Sequence, residues 1–188
     1  MSENFNSYSD QELLKYMRGR NKAISDEAFK AIYSRYAPRV HAYCLKILNS
    51  REQAEDVFQE TFIKFYQNVR ADHEKDNIAG FLITIARNLC LNFKRDSKKT
   101  IPIEEFHSIQ EENFSDNNDE ILDLITSSIQ LLEMEYKEPL ILRLYDGLSY
   151  RDIAEVCQIS EQNARKRVFR AKEKIRDLLR PYMKEIEN

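Results

Sequence analysis

The sequence predicts an all-α protein: two small helical domains joined by an acidic linker. Three observations lead there. Apolar residues recur every three or four positions along most of the chain, the period of a helix with one buried face. Glycine occurs only three times and tryptophan not at all, while Leu, Ile, Lys, Glu and Arg are abundant, a composition that favours helix over sheet. Residues 100–120 carry seven acids (Glu104, Glu105, Glu111, Glu112, Asp116, Asp119 and Glu120) and no Lys or Arg, a self-repelling run that stays extended. The expected boundaries are 9–99 for the first domain, 100–119 for the linker and 120–183 for the second domain. A chain of 188 residues is long enough for one or two small cores of this kind.

The first helix opens at Ser9, whose Ser-x-x-Glu pattern with Glu12 is a capping box ahead of Leu13, Leu14 and Met17. A second helix is expected from Ser25 or Asp26, turning Phe29, Ile32, Tyr33, Tyr36, Val40 and Tyr43 inward. Pro38 lacks a backbone donor and should bend or divide that helix. Ser50-x-x-Gln53 then caps a helix running from Arg51 to about Val69. Its inner stripe is Ala54, Val57, Phe58, Thr61, Phe62 and Phe65, which leaves Glu52, Glu55, Asp56, Gln59, Glu60 and Lys64 in water. Gln67 to Asn77 is polar and reads as a loop.

Phe81, Ile85, Leu89 and Phe93 form the stripe of the next helix, widened by Leu82 and Ala86. Its tail sets Arg87, Lys94, Arg95, Lys98 and Lys99 against Asp96 alone, a balance of +4. Past the linker, Ile121, Leu124, Ile125, Ile129 and Leu132 make one amphipathic helix, which leads through Pro139 into Leu140–Tyr145.

Tyr136 to Arg180 is the most informative stretch. Gly147 suits the left-handed residue after a helix end, and Ser149-x-x-Asp152 caps a short helix with Ile153, Ala154 and Cys157 on one face. Ser160 supplies another N-cap a few residues later, and Ala164, Val168, Ala171, Ile175 and Leu178 follow as a stripe. That stripe leaves Gln162, Asn163, Arg165, Lys166, Arg167 and Arg170 outside. From Glu161 to Arg180, eight Lys/Arg face three acids, a balance of +5. Two capped helices at this spacing read as a helix-turn-helix whose second helix enters a major groove. There Asn and Gln pair with adenine, Arg pairs with guanine, and the remaining cations hold phosphates.

Other classes fit less well. The net charge of −3 argues against a nucleic-acid binder only if taken globally, since local segments carry the basic charge. No apolar core follows Met1-Ser2-Glu3-Asn4, and no apolar run is long enough to cross a bilayer, so a cytoplasmic protein is expected. Cys44, Cys90 and Cys157 are odd in number and set among apolar neighbours, as buried reduced thiols are. His41-x-x-Cys44 has no second pair at ligand spacing, so neither a zinc site nor any other cofactor is expected. A metal-dependent nuclease would have the carboxylates but lacks a clustered ligand motif. No catalytic residues, and no enzyme, are expected.

Gly147-Leu148-Ser149-Tyr150, Asp152-Ile153-Ala154-Glu155 and Ile159-Ser160 ahead of a basic helix resemble region four of the sigma-70 family, in its small extracytoplasmic-function (ECF) members. Ala54-Glu55-Asp56-Val57-Phe58-Gln59-Glu60-Thr61-Phe62 is similar to the core-binding segment of region two. Phe81-Leu82, Ile85-Ala86-Arg87-Asn88 and the basic tail are similar to regions 2.3 and 2.4, where the family commonly has tryptophan in place of Phe81. The resemblance implies an initiation subunit of bacterial RNA polymerase. Residues 9–99 would be region two and residues 120–183 region four.

It implies roles as well. Asp56, Gln59 and Glu60 would dock on a basic coiled coil of the polymerase β′ subunit. Asn68, Asn77, Asn88 and Asn92 would read the minus-ten element, with Arg87, Lys94 and Arg95 on its phosphates and Lys98 and Lys99 also binding this DNA. Ser160, Gln162, Asn163, Arg165, Lys166, Arg167 and Arg170 would bind the minus-thirty-five DNA, and region four would touch the β flap. The linker would thread the polymerase cleft, and an anti-sigma or other regulatory protein would be a partner. Gln158 departs from the family, which often has glycine at this turn. The alternative is a stand-alone helix-turn-helix regulator. Such proteins usually dimerise across two half-sites, and no segment here reads as a dedicated dimer helix.

Overall fold

A computed structural model describes residues 5–48, 50–71, 77–97, 117–145 and 147–186. These residues contain helices and no strands, and the chain divides into two compact units, residues 1–96 and 97–188. Each is built around its own apolar core. No helix among the described residues is long and apolar enough to cross a membrane.

Unit 1 starts with a single 3-10 turn, Phe5–Ser7, followed by α1 (Asp10–Arg18), α2 (Lys22–Leu48), α3 (Arg51–Arg70) and α4 (Ile78–Ser97). The capping box at Ser9 is present in both directions: its hydroxyl accepts from the Glu12 amide, and its own amide donates to Glu12 Oε2 at 2.8 Å. The Ser9 hydroxyl also donates to Glu12 Oε2 at 2.6 Å, and this bond, followed by that of the Ser9 amide, holds Glu12 below the ordinary glutamate range. The N-terminal segment is pinned to α2 by Arg35, which donates to Asp10 and to the carbonyls of Asn6 and Tyr8. Tyr36 donates its hydroxyl to the same Asp10. Burial, and then that carboxylate, push the Tyr36 phenol up to about 12.

One expectation for α2 is corrected, its start, and another is narrowed, the effect of Pro38. It begins at Lys22 because Asn21 Oδ1 accepts from the amides of Ala23 (3.1 Å) and Ile24 (3.4 Å), a cap one turn earlier than Ser25. Ser25 is buried instead, and its hydroxyl donates to the Met17 carbonyl at 2.8 Å, tying α2 to α1. Pro38 does not divide the helix, which is continuous from Lys22 to Leu48. Its ring faces solvent, while Ala31 and Ile32 before it and Val40, Tyr43 and Cys44 after it are buried. Packing on both sides thus outweighs one missing hydrogen bond.

Ser50 caps α3, whose Ala54, Val57, Thr61, Phe62 and Phe65 are buried as the stripe predicts. The helix runs to Arg70, so the first part of the expected loop is helical, and residues 72–76 lie outside the described residues. An aromatic seam joins α2 to α3: Tyr33 and Phe62 lie 4.7 Å apart, and Phe29 and Tyr66 lie 5.2 Å apart. Phe81 of α4 meets Phe65 at 6.0 Å. Ile78, Leu82, Ile83, Ala86 and Cys90 bury the rest of the inner face of α4.

Unit 2 contains α5 (Asn117–Gln130), α6 (Met134–Leu144), α7 (Tyr150–Cys157) and α8 (Glu161–Ile186). The helix expected around Ile121 starts at Asn117, inside the stretch read as linker, and stops before Leu132. The rest of that linker, residues 100–116, lies outside the described residues. Pro139 sits inside α6, buried between Glu138 and Leu140, in place of marking its start. Leu140, Ile141, Leu142, Ile153, Val156, Ala164, Val168 and Ala171 form the core that α8 closes. Leu178, expected in that stripe, is 39% exposed, so the inner face of α8 is no longer covered at that point. Cys44, Cys90 and Cys157 are free thiols and buried, as expected.

Candidate nucleic-acid interface and an acidic docking face

The turn between α7 and α8 sets the geometry of the second unit. Ser149 and Asp152 form a reciprocal capping box at the start of α7, with the Asp152 amide on the Ser149 hydroxyl at 3.1 Å. Gly147 has φ 59° and nothing within 4 Å of where a Cβ would stand, so the residue is required for its backbone and not for space. At the far end of α7, Gln158 takes the left-handed conformation (φ 57°, ψ 46°), and the next amide, of Ile159, bonds back to the Ala154 carbonyl at 3.0 Å. This is a Schellman-type stop made without glycine. Ser160 then accepts from the Asn163 amide at 3.2 Å and starts α8.

Gln162, Asn163, Arg165, Lys166 and Arg170 are all exposed on the first turns of α8. Arg167 is only 31% exposed, and Glu135 of α6 pairs with it at 3.3 Å. Asn163, Lys166, Arg167 and Arg170 line one shallow groove with Glu135 and Tyr136 of α6. One turn further on, Lys174 bonds to Glu133 at 3.2 Å and lies 4.9 Å from the Tyr136 ring centroid. Arg165 pairs with Glu161 at 2.6 Å and stacks on Tyr150. Phe169, which sequence reasoning passed over, is 62% exposed amid these cations. The signal was available: Phe169 falls outside the apolar stripe. The acids of α6 had no such signal, being distant in sequence.

On unit 1, Asp56 and Gln59 are exposed on α3, and Glu60 is half-exposed with Lys64 at 3.1 Å. At helical spacing, Ile63 falls between Gln59 and Glu60 in projection, one turn beyond them, and it is 51% exposed. The acidic face therefore has an apolar centre, which the stripe analysis missed because it scored only inward positions.

The residues expected on the minus-ten element are divided by the structure. Asn88, Asn92 and Arg95 are exposed at i, i+4 and i+7 and share one face of α4. Arg95 lies 3.3 Å from Asp96, and Arg87 and Lys94 are half-buried. Asn68 instead donates to the Lys64 carbonyl at 2.7 Å within α3. Asn77 caps α4, accepting from the Gly80 amide at 2.8 Å, and any Cβ on Gly80 would stand 2.9 Å from the Asn77 amide nitrogen. Lys98 and Lys99 lie outside the described residues. Among the described residues, no group of three or more His, Cys, Asp or Glu could hold a metal ion.

Comparison with known proteins agrees with this layout. The family model described as Sigma-70 region 2 matches residues 32–100, and that described as Sigma-70, region 4 matches residues 122–175. The ECF RNA polymerase sigma-E factor of Haemophilus influenzae is 28% identical over 93% of this chain and 97% of its own length. The RNA polymerase sigma-H factor of Pseudomonas aeruginosa is 29% identical over 94% of this chain and 96% of its own. Among solved structures, the sigma factor RpoE of Bartonella quintana, in complex with the anti-sigma factor NepR, shares the fold with a TM-score of 0.66 and 23% identity. That match covers 81% of this chain and 96% of that one. With both regions matched in order and curated relatives similar along nearly their whole length, this chain belongs to the sigma-70 family, as a factor of the extracytoplasmic-function type.

Proposed function

We propose that this protein is an alternative sigma factor whose acidic α3 face docks on core RNA polymerase while α4 and α8 hold the two promoter elements. The observation that carries the reading is the pairing, in one chain, of a carboxylate face centred on exposed Ile63 with a basic recognition helix on a separate unit. Asp56, Gln59 and Glu60 meet the basic β′ coiled coil. Charge complementarity speeds encounter and sets register, and Ile63 supplies the desolvated contact that keeps the complex together.

On α4, the shared face of Asn88, Asn92 and Arg95 grips minus-ten DNA, with Arg87, Lys94, Lys98 and Lys99 on its phosphates. A base drawn out of an opened duplex needs polar groups on its edge and a stacking partner on its face. Asn77 serves this site by capping the start of α4, and Asn68, bonded to the Lys64 carbonyl on α3, is kept as a reader of the same element. On α8, Gln162, Asn163, Lys166 and Arg170 read minus-thirty-five bases. Phe169 offers an apolar contact to a thymine methyl, while Ser160 holds the first turn in place.

The domain roles follow: residues 9–99 bind core and minus-ten DNA, 100–119 tether, and 120–183 bind minus-thirty-five DNA and touch the β flap. The chain has no catalytic role of its own and acts in the cytoplasm, where the polymerase works. Because the structurally similar RpoE was solved with an anti-sigma factor, a regulatory protein of that kind is the proposed control. Run-off transcription with core enzyme on a promoter library tests the reading. Promoter-dependent transcripts that vanish with Asp56→Lys support it. Failure to retain core enzyme, together with dimeric binding to duplex DNA, would favour a stand-alone regulator.

A further inference from the structure

The guanidinium of Arg143, on α6, lies 4.9 Å from the centroid of the Tyr150 ring, and that of Arg165, on α8, lies 4.7 Å from the same centroid. Three helices thus contribute one residue each to a single cluster. Both arginines are anchored from elsewhere too: Arg143 Nη1 donates to the Leu148 carbonyl at 2.8 Å, and Arg165 Nη2 pairs with Glu161 at 2.6 Å. Each keeps further N–H donors beyond those bonds. Two like charges share one aromatic platform, an arrangement that cation–π attraction favours and their mutual repulsion opposes. An anion bridging both would relieve that repulsion, and two planar donor forks suit a phosphate.

The position in the fold says which phosphate. In helix-turn-helix docking the first helix crosses the DNA backbone, while the second lies in the groove. Tyr150 is the first residue of α7, the first helix of the pair, and Arg165 lies in the opening turns of α8. We propose that Tyr150 is a positioning residue, its ring holding Arg143 and Arg165 together as one two-arginine seat for a DNA backbone phosphate. The inference rests on the reading of α8 as a duplex-binding helix. It assigns Arg165 to the DNA backbone and adds Arg143, which sequence periodicity did not single out, to the interface.

The test uses the full chain with two fluorescent duplexes of unrelated sequence, followed by anisotropy over a range of KCl concentrations. Arg143→Ala and Arg165→Ala should each weaken binding about three- to tenfold on both duplexes and flatten the log–log salt slope by about one. Because the seat needs both residues, the double variant should bind no more weakly than the weaker single variant. Tyr150→Leu should behave like Arg165→Ala, and Tyr150→Phe, which keeps the ring, should stay within about twofold of the unsubstituted protein.

Additive losses from the two arginines, losses confined to one duplex, or an unchanged slope with folded Tyr150→Leu would each overturn the proposal. If Tyr150→Leu loses its helical circular dichroism, the two arginine variants and their combination decide. A different result separates the underlying reading: if Lys166→Ala and Arg170→Ala leave duplex binding untouched, the assignment of α8 itself fails, and the phosphate seat with it.

Discussion

Helices α3 and α8 are both amphipathic, both present charge to solvent, and treat that charge in opposite ways. On α3 the ion pairs run along the helix itself, Arg51 with Glu55 and Glu60 with Lys64, and the centre of the exposed face is apolar Ile63. α8 has intrahelical pairs too, Arg165 with Glu161 and Arg180 with Asp177, but its cations are also held from other elements: Glu135 on Arg167, Glu133 on Lys174, Tyr150 on Arg165. The difference teaches what each partner requires. A protein partner can mould its side chains to an acidic rim and bury a hydrophobic centre. A duplex presents phosphates and base edges at fixed spacing, so its reader gains from cations oriented in advance.

The largest expected effect attacks the core beneath the acidic face. Phe65→Ala removes a fully buried ring that packs on Phe81 and should cost unit 1 about 3–5 kcal/mol. Chemical denaturation should show an early transition for unit 1 and an unchanged one for unit 2. If both transitions moved together, the two units would not be independent, and the contrast between their faces would lose its footing.

Next come two substitutions on α3 that divide rate from lifetime. Asp56→Lys should weaken core-polymerase binding by about 2–5 kcal/mol and act strongly on the association rate. Ile63→Ala should cost about 1–2 kcal/mol, nearly all of it in faster dissociation. Stopped-flow binding to core enzyme separates them; an Ile63→Ala variant with unchanged dissociation would remove the apolar centre from the docking face.

A smaller effect is expected on α8. Glu135→Gln frees Arg167 and removes a negative charge from the groove. The exposed pair contributes at most about 1 kcal/mol to unit 2, while at low salt the loss of a repelling carboxylate should outweigh the loss of orientation at Arg167 and raise duplex affinity by about two- to fivefold. A fall in affinity would mean that Glu135 serves DNA binding by orienting Arg167, a result that would deepen the contrast with α3. Smallest is Gln158→Gly. Relief of the left-handed backbone should exceed the added chain entropy and stabilise unit 2 by about 0.5–1 kcal/mol. Thermal unfolding should shift upward by a few degrees.

Local chemistry was legible in the sequence, and long-range chemistry was not. The caps at Ser9, Ser50, Ser149 and Ser160 act over three residues, so a short motif contains both partners. Gln158 was singled out only through the resemblance, because the family often has glycine at this turn, and it does take a left-handed backbone. Ser25 misled because a serine near a helix start looks like a cap, while the asparagine four residues earlier had already taken that role. Pro38 does not divide α2 because its cost is local, whereas the packing that overrides it comes from α1 and α3. The hold of Glu135 on Arg167 and the shared ring of Tyr150 join helices distant in sequence, and no periodicity reports them. Asn68 and Asn77 show the converse limit: residue type allowed base reading, capping or a bond to a helix carbonyl, and only coordinates reveal which bonds they make.

The three sealed thiols have a practical consequence. Cys44 and Cys90 lie in the interior of unit 1 and Cys157 in that of unit 2, so a sulfhydryl reagent can modify them only while the surrounding helices are apart. Each half of the molecule therefore carries its own native stopwatch for transient opening, readable by mass spectrometry without adding any label.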